Sequence, residues 1–405
     1  MKKLMIFTRE YPPNIIGGTS IIARLIAKGL SNLDYDVTVV TSVLQKNNKV
    51  EIVDGIKIIG IAADSIYSSL ETSNLRYYKN AISYLSKVSD KPDVVLFPDL
   101  FSYPAARLYS KINKIPLVNI LLQDFNKLLL YDKHNTHKVT NNINATASEL
   151  FRIEEKALLS SDRNVFISYA LSSSICNHYK LNREKCSVIY VGIDEKELAP
   201  NVNLNYQAIR DSLCPKEKKL IMSIGRLVPF KGFDSLIKAF KLINDTYNDT
   251  FLCILGSGPE ESYLRELISD LDLEESVKIL YEANRAKTVS YLNVCDIAVV
   301  PSLWESFCLV AVEFMALGKP FVASGVDSLN EIIVHGESGL LCTVEEENNK
   351  RHLSPQLLAK NIEALLLDHN LAEYLASNAK KRVKMFFTEE ICTQNFARLI
   401  DTLQK

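Results

Sequence analysis

The stretch of this chain best equipped for chemistry reads Pro301-Ser302-Leu303-Trp304-Glu305-Ser306-Phe307-Cys308-Leu309-Val310-Ala311-Val312-Glu313-Phe314-Met315-Ala316-Leu317-Gly318-Lys319-Pro320. Glu305 and Glu313 stand eight residues apart in it. Carboxylates accept hydrogen bonds from hydroxyl groups. The preceding run, Asp296 to Val300, reads as a buried strand, and the apolar run closed by Gly318 and Pro320 reads as a helix. Glu305 therefore falls in a strand-to-helix loop, and Glu313 inside the helix. Such a loop lies at the carboxyl end of a parallel strand, where open α/β sheets bind ligands. The start of the helix offers the backbone N–H groups of Phe307, Cys308 and Leu309 to an anion. An anion site flanked by two carboxylates suits a nucleotide sugar, with phosphate on the helix end and hydroxyls on the glutamates. Glutamates at this spacing also decorate ordinary amphipathic helices.

A second charged pair lies upstream, in Ser223-Ile224-Gly225-Arg226-Leu227-Val228-Pro229-Phe230-Lys231-Gly232. Arg226 brings a fork of N–H donors and Lys231 a point charge. Converging on a diphosphate, they would stabilise the negative charge that grows on a departing group; as surface cations they would simply be solvated. Leu255-Gly256-Ser257-Gly258-Pro259-Glu260 is another strand-to-turn step, but Glu261 occupies the third glycine position of a dinucleotide fingerprint. Near the start, Tyr11-Pro12-Pro13-Asn14-Ile15-Ile16-Gly17-Gly18-Thr19-Ser20 leads into the helical Ile21–Leu30. Gly17 and Gly18 let a ligand approach the backbone closely, and Thr19 or Ser20 can cap the helix.

These loops need strands to hold them. Short β-rich runs alternate with helical stretches, which predicts parallel sheets with crossover helices. Strands are expected near Leu4–Phe7, Val37–Thr41, Ile56–Ile59, Val94–Phe97, Leu117–Leu122, Asn164–Ile167 and Val188–Tyr190. A second set is expected near Leu220–Ile224, Phe251–Leu255, Val277–Leu280, Ile297–Val300, Phe321–Ala323 and Leu340–Cys342. Two sets predict two domains, residues 1–197 and 198–387, which the length of 405 residues accommodates. The polar stretch Asp194 to Lys219 marks the junction. In the last segment, 388–405, Ile391, Phe396, Leu399, Ile400 and Leu403 recur at helical spacing. Lysine plus arginine (47) balances aspartate plus glutamate (48), which argues against a dedicated nucleic-acid binder. No apolar run reaches the roughly 18 residues that would span a bilayer, and the apolar start is too short for a signal peptide. The eight cysteines include no CxxC pair, so a reducing cytosol is expected. Asp34-Tyr35-Asp36 reads as a surface turn, and no metal is expected.

Together these motifs resemble the retaining family 4 glycosyltransferases of GT-B fold, from the first strand to the final helix. The family pattern Pro-Ser-x-x-Glu-Gly-Phe-Gly-Leu-x-x-x-Glu-Ala-Met-Ala-x-Gly-x-Pro is matched from Pro301 to Pro320. Gly-Arg-Leu-x-x-x-Lys-Gly is matched from Gly225 to Gly232, and Gly-x-Gly-Pro-Glu from Gly256 to Glu260. The resemblance implies an α/β protein with two Rossmann-like doubly wound domains facing across a cleft, the C-terminal helix crossing back to the first. It implies a nucleotide-diphospho sugar as substrate, held by the second domain, and no cofactor or metal. By the same resemblance Arg226 and Lys231 meet the diphosphate, Glu313 the ribose and Glu305 the sugar hydroxyls. Gly17, Gly18, Gly225, Gly256, Gly258, Phe307, Cys308 and Leu309 complete the donor side, and Gln123 and Asp124 belong to the acceptor side. The implied acceptor is a glycan, glycolipid or protein, in cell-envelope or capsular polysaccharide synthesis. The implied location is the cytoplasm, with peripheral contact at the inner membrane surface and no nucleic-acid partner.

The chain departs from the pattern in places. Ser306 and Cys308 replace glycines, Asp327 and Ser328 replace Gly-Gly before Glu331, and Gln123 replaces the histidine of a strand that ends in His-Asp. Glutamine donates a hydrogen bond but is neither acid nor base. In the family's mechanism the leaving phosphate accepts the acceptor's proton, so Gln123 is compatible with an active enzyme. Rival readings are a nucleotide-sugar epimerase of related fold, a non-catalytic sugar-nucleotide-binding subunit and, without its fingerprint, a dinucleotide enzyme. The polar loop Tyr131–Asn144 reads as solvated, and His335 as structural.

Overall fold

The computed structural model describes residues 1–13, 18–45, 47–63, 73–88, 90–125, 127, 142–282, 284–347 and 350–403. They divide into unit 1, Met1–Gly192 with Glu389–Lys405, and unit 2, Ile193–Thr388.

Unit 1 is built on β1 (Lys3–Phe7), β2 (Asp36–Val43), β3 (Lys49–Val53), β4 (Ile56–Ala62), β5 (Val94–Phe97), β6 (Leu117–Leu121), β7 (Arg163–Phe166) and β8 (Cys186–Val188). They form one sheet in the order β3-β4-β2-β1-β5-β6-β7-β8. All neighbours are parallel except β3 and β4. Leu4-Met5-Ile6-Phe7 and Val94-Val95-Leu96-Phe97 are buried throughout, as strands covered on both faces must be. β3 is absent from the strands expected above. It is an edge strand of mostly exposed residues, so it carries no buried apolar run. Its signal was the turn Asp54-Gly55, both residues at positive φ, which closes a two-residue hairpin onto β4.

Unit 2 contains β9 (Lys219–Ile224), β10 (Thr250–Leu255), β11 (Val277–Leu280), β12 (Ile297–Val300), β13 (Phe321–Gly325), β14 (Leu340–Glu347) and β15 (Lys350–Leu353). The sheet runs β11-β10-β9-β12-β13-β14-β15. Its first six strands follow the 3-2-1-4-5-6 order of the doubly wound dinucleotide fold. Again the missed strand, β15, is an antiparallel edge strand, with Lys350 and His352 exposed. One face of the sheet is covered by the helices Phe233–Asn244 and Pro355–Leu367, whose Leu236, Phe240, Leu358 and Ile362 share a core with Ile221, Leu252 and Val299.

The division falls at Gly192/Ile193 instead of 197/198. Ile193 donates its N–H to Phe387 O (2.9 Å), and the short helix Glu195–Leu198 is tied to unit 2 by Asn293, which donates to Leu198 O. The final helix, Glu389–Thr402, belongs to unit 1 and packs on the helix Gly18–Asn32, where a Cβ on Gly29 would lie 2.1 Å from Thr393 Oγ1. No described helix is long and apolar enough to cross a membrane.

Phe396 of the final helix is fully buried. Phe396→Ala is expected to cost unit 1 about 3–5 kcal/mol. Denaturant unfolding followed by peptide-resolved hydrogen exchange should show unit 1 opening earlier while unit 2 keeps its midpoint.

Candidate functional site

In unit 2 the strand order reverses between β9 and β12, so the loops that follow them part at the carboxyl ends of the strands. After β9 come Gly225–Val228, one 3₁₀ turn (Pro229–Lys231) and Gly232 at φ 65°. A Cβ on Gly232 would lie 2.1 Å from Pro301 O, so glycine alone allows the two loops to meet. Leu303 donates its N–H to Phe230 O (2.8 Å), and the Phe230 and Trp304 rings meet edge to face at 5.7 Å.

This closeness delivers Lys231 Nζ to Glu305 Oε1, 2.5 Å away, and Ser302 Oγ donates to the same oxygen at 2.8 Å. Glu305 is only 8% exposed. Burial pulls the Lys231 pKa down, but the charge of Glu305 and its hydrogen bond lead the contributions that outweigh it and hold the ammonium above the ordinary lysine value. Lys231 therefore stays cationic at neutral pH. Arg226 is exposed, near enough to Lys231 to oppose its charge, and forms no ion pair among the described residues. Its guanidinium lies 5.9 Å from the Phe230 ring centre.

Gly256 and Gly258 serve this loop. A Cβ at Gly256 would lie 1.9 Å from Gly225 O, and one at Gly258 2.3 Å from Leu227 O. Leu227 donates its N–H to Ser257 O (2.9 Å), and Glu260 donates back to Leu227 O (3.1 Å). The glycine turn thus props the Arg226 loop by backbone contact. Gly225 itself has room for a Cβ at ordinary van der Waals distance.

The helix Leu309–Leu317 begins behind Glu305. Cys308, at φ 66°, holds the left-handed backbone that favours glycine, and burial pushes its thiol well up. Phe307 is buried against Phe387. Leu309 opens the helix and is half-buried. One turn on, Glu313 is buried and its Oε1 accepts from Arg285, the first residue of the helix Arg285–Val294. Burial raises the Glu313 pKa against the pull of Arg285. Arg285 lies 28 residues away in sequence, and no local pattern announced it. Asp327 and Ser328, which the sequence shows only as departures from a glycine pair, hold the Glu305 backbone: Asp327 Oδ2 accepts the Glu305 N–H, and Ser328 Oγ donates to Glu305 O.

In unit 1, Gly17 and residues 131–141 of the polar loop lie outside the described residues. Gly18 opens the helix Gly18–Asn32 with open space around it. Gln123 and Asp124 follow β6. Asp124 is buried, and its two oxygens take Ser174 Oγ (2.6 Å) and the Lys127 N–H (3.1 Å). It braces the loop that presents Gln123. Behind it stands Glu154, 1% exposed, which accepts from Tyr179 Oη (2.6 Å) and from the Phe125 N–H. Burial lifts the Glu154 pKa to about 7. His335 in unit 2 is structural: its Nδ1 accepts the Leu341 N–H at 2.9 Å.

Comparison with known proteins places both units. The family described as Glycosyl transferases group 1 matches residues 206–382, and Glycosyltransferase Family 4 matches residues 16–197. An uncharacterised glycosyltransferase of Methanocaldococcus jannaschii is 27% identical over 94% of this chain and 93% of its own length. A glycogen synthase of Mycobacterium tuberculosis is 23% identical over 95% and 91%. Among solved structures, a sucrose-phosphate synthase from Thermosynechococcus elongatus superposes with a TM-score of 0.82 at 19% identity, covering 100% of this chain and 99% of that one. Anabaena HepE, solved with UDP and glucose, gives 0.76 at 20%, covering 99% and 100%. Both show the GT-B fold in this chain.

Gly258→Ala must push the Leu227 backbone, and is expected to destabilise unit 2 by about 1–3 kcal/mol in a thermal melt. Glu154 supplies a pH test. A folded pKa of about 7 against 4.5 unfolded means its contribution is fully present below about pH 4.5 and is lost as pH rises through about 7. The loss is on the order of 3 kcal/mol. Glu154→Gln should therefore come closest to the wild type near pH 4 and gain on it up to pH 8; a stability difference that is the same at both pH values would remove that assignment.

Proposed function

This chain belongs to the group 1, family 4 glycosyltransferases, and on that premise we propose that it uses a nucleoside-diphosphate sugar as donor. In this reading it retains the anomeric configuration, needs no metal, and glycosylates a glycan, glycolipid or protein acceptor. Cell-envelope or capsular polysaccharide assembly, at the cytoplasmic face of the membrane, is the setting we assign to it. The observation that supports it most is the convergence of Lys231, Arg226 and Glu305 where the strand order of unit 2 reverses. A cationic pair with a buried carboxylate suits a diphosphate bearing a polyol. HepE, with UDP and glucose bound, is a neighbour of the same fold and supports the same donor class.

In this mechanism the bond from the anomeric carbon to the β-phosphate oxygen breaks as the acceptor oxygen bonds to the same face. The acceptor's proton passes to the departing phosphate, so unit 1 need not supply a base and Gln123 serves as a hydrogen-bond donor. Arg226 and Lys231 meet the charge that accumulates on the diphosphate. Lys231 enters already protonated and already held by Glu305, so little reorganisation is needed when the donor arrives. Glu313 accepts from the ribose hydroxyls, and Arg285 holds its carboxylate in place and opposes the burial that raises its pKa. The N–H groups at the start of Leu309–Leu317 add a partial positive charge.

The test is release of nucleoside diphosphate from a panel of UDP-, GDP- and ADP-sugars, with and without a glycan and lipid extract. Slow release from one donor, accelerated by extract and insensitive to chelator, is the expected result. The product's anomeric coupling constant in NMR should match the donor's. Arg226→Ala should lower turnover by roughly 10²-fold; unchanged turnover would remove Arg226 from the site.

A further inference from the structure

The half-buried pair Arg351–Asp327 has no part in the mechanism above. Asp327 follows β13 with φ 39°, a backbone that side-chain-bearing residues seldom adopt. Its side chain is 8% exposed. Arg351 reaches it from the edge strand β15: Nη1 donates to Oδ2 (2.7 Å) and Nη2 to Oδ1 (3.1 Å), a two-pronged contact. Nη1 also donates to Leu303 O (3.0 Å), and Nε to Glu346 Oε2 (3.2 Å). Asp327 Oδ2 accepts the N–H of Glu305 at 3.3 Å. One guanidinium thus holds the Leu303–Glu305 segment at both ends, by the carbonyl of Leu303 and, through Asp327, by the amide of Glu305. Ser328 Oγ takes the Glu305 carbonyl at 3.1 Å, while Lys231 and Ser302 take its carboxylate.

A buried ion pair is weak evidence of stability, because desolvating both charges offsets most of their attraction. What a two-pronged Arg–carboxylate pair supplies is geometry. Here the geometry it supplies is that of the one loop residue whose carboxylate faces Lys231. From these contacts we propose that Arg351 and Asp327 are positioning residues for Glu305. They act through the Leu303–Glu305 backbone to set its carboxylate for the transferred sugar, and they contact the nucleotide at no point. This rests on the reading of Glu305 as a sugar contact. It goes beyond that reading by placing the control of Glu305 on the outermost strand of the sheet, about 50 residues further along the chain.

The variants are Arg351→Met, which removes the fork, Arg351→Lys, which keeps the charge, and Asp327→Asn, which keeps an acceptor for the Glu305 N–H. Two readouts are taken on folded protein. The first is hydrogen exchange of a peptide spanning Leu303 to Leu309, with one in Phe233–Asn244 as control. Arg351→Met should raise exchange in the first peptide several-fold and leave the control unchanged, with Asp327→Asn closer to wild type. The second is donor turnover with nucleoside-diphosphate affinity. Arg351→Met should lower kcat about tenfold or more, with the dissociation constant of the nucleoside diphosphate within about twofold of wild type. Arg351→Lys should not restore kcat fully. The Arg351→Met and Asp327→Asn double variant should fall no lower than the worse single one, because the two act as a unit. Unchanged exchange in the loop peptide would overturn the proposal, whatever the activity. So would a kcat loss matched by an equal loss of nucleotide affinity. If Arg351→Met loosens the loop but Glu305→Gln turns over normally, the positioning role stands and the assignment of Glu305 to the sugar falls.

Discussion

The contact between Lys231 and Glu305 is the constraint from which the rest of the second unit can be understood. It joins residues 74 apart in sequence, carried on the two loops that diverge where the sheet reverses its order. An ammonium in that setting costs desolvation, and the carboxylate beside it repays the cost. The pair exists only because Gly232 allows backbone to approach backbone at Pro301. The glycine turn after β10, the Phe230–Trp304 contact and the capture of Glu305's amide and carbonyl all serve the same end. Each fixes a loop that has no regular structure of its own. The sheet supplies a rigid floor, and short hydrogen-bonded loops place two charges above it.

Much of this was legible in the sequence, for a specific reason. Arg226, Lys231, Glu305 and Glu313 lie in compact strings whose spacing follows a strand, a loop and a helix start, and local spacing is what a sequence displays. The buried parallel strands were equally plain, since Val-Val-Leu-Phe or Ile-Ala-Val-Val needs burial on both faces. What stayed hidden was long-range or half-exposed. β3 and β15 are edge strands whose exposed residues break the apolar pattern. Arg285 and Arg351 reach their partners across 28 and 24 residues, and nothing local marks them. Gly256 and Gly258 were recognised as functional glycines, but their tightest neighbours are the backbone of the Arg226 loop. Asp327 and Ser328 registered as departures from a pattern; in the fold they hold Glu305's amide and carbonyl.

Unit 1 follows a different logic. Its loop after β6 is held from below by carboxylates that are themselves buried. Asp124 spends both oxygens on the loop and on the helix Tyr169–Tyr179, and Glu154 ties that helix to the amide of Phe125. Gln123 is left as the polar side chain that such a loop presents. Glutamine in place of an ionisable group makes that surface insensitive to pH, whereas the brace beneath it titrates near neutrality.

The return of the last helix to unit 1 also has a consequence for how the protein is made. The helix Gly18–Asn32 emerges from the ribosome well before its packing partner, Glu389–Thr402. All of Ile193–Thr388, the whole of unit 2, is translated in between. At roughly 5–20 residues per second that interval is on the order of ten to forty seconds. During it, the face of Gly18–Asn32 that carries Gly29 and will receive Thr393 stays uncovered, while unit 2 has every strand it needs to fold. The order of completion is therefore the reverse of the order of synthesis, and the nascent first unit is the stage at which a chaperone has something apolar to hold.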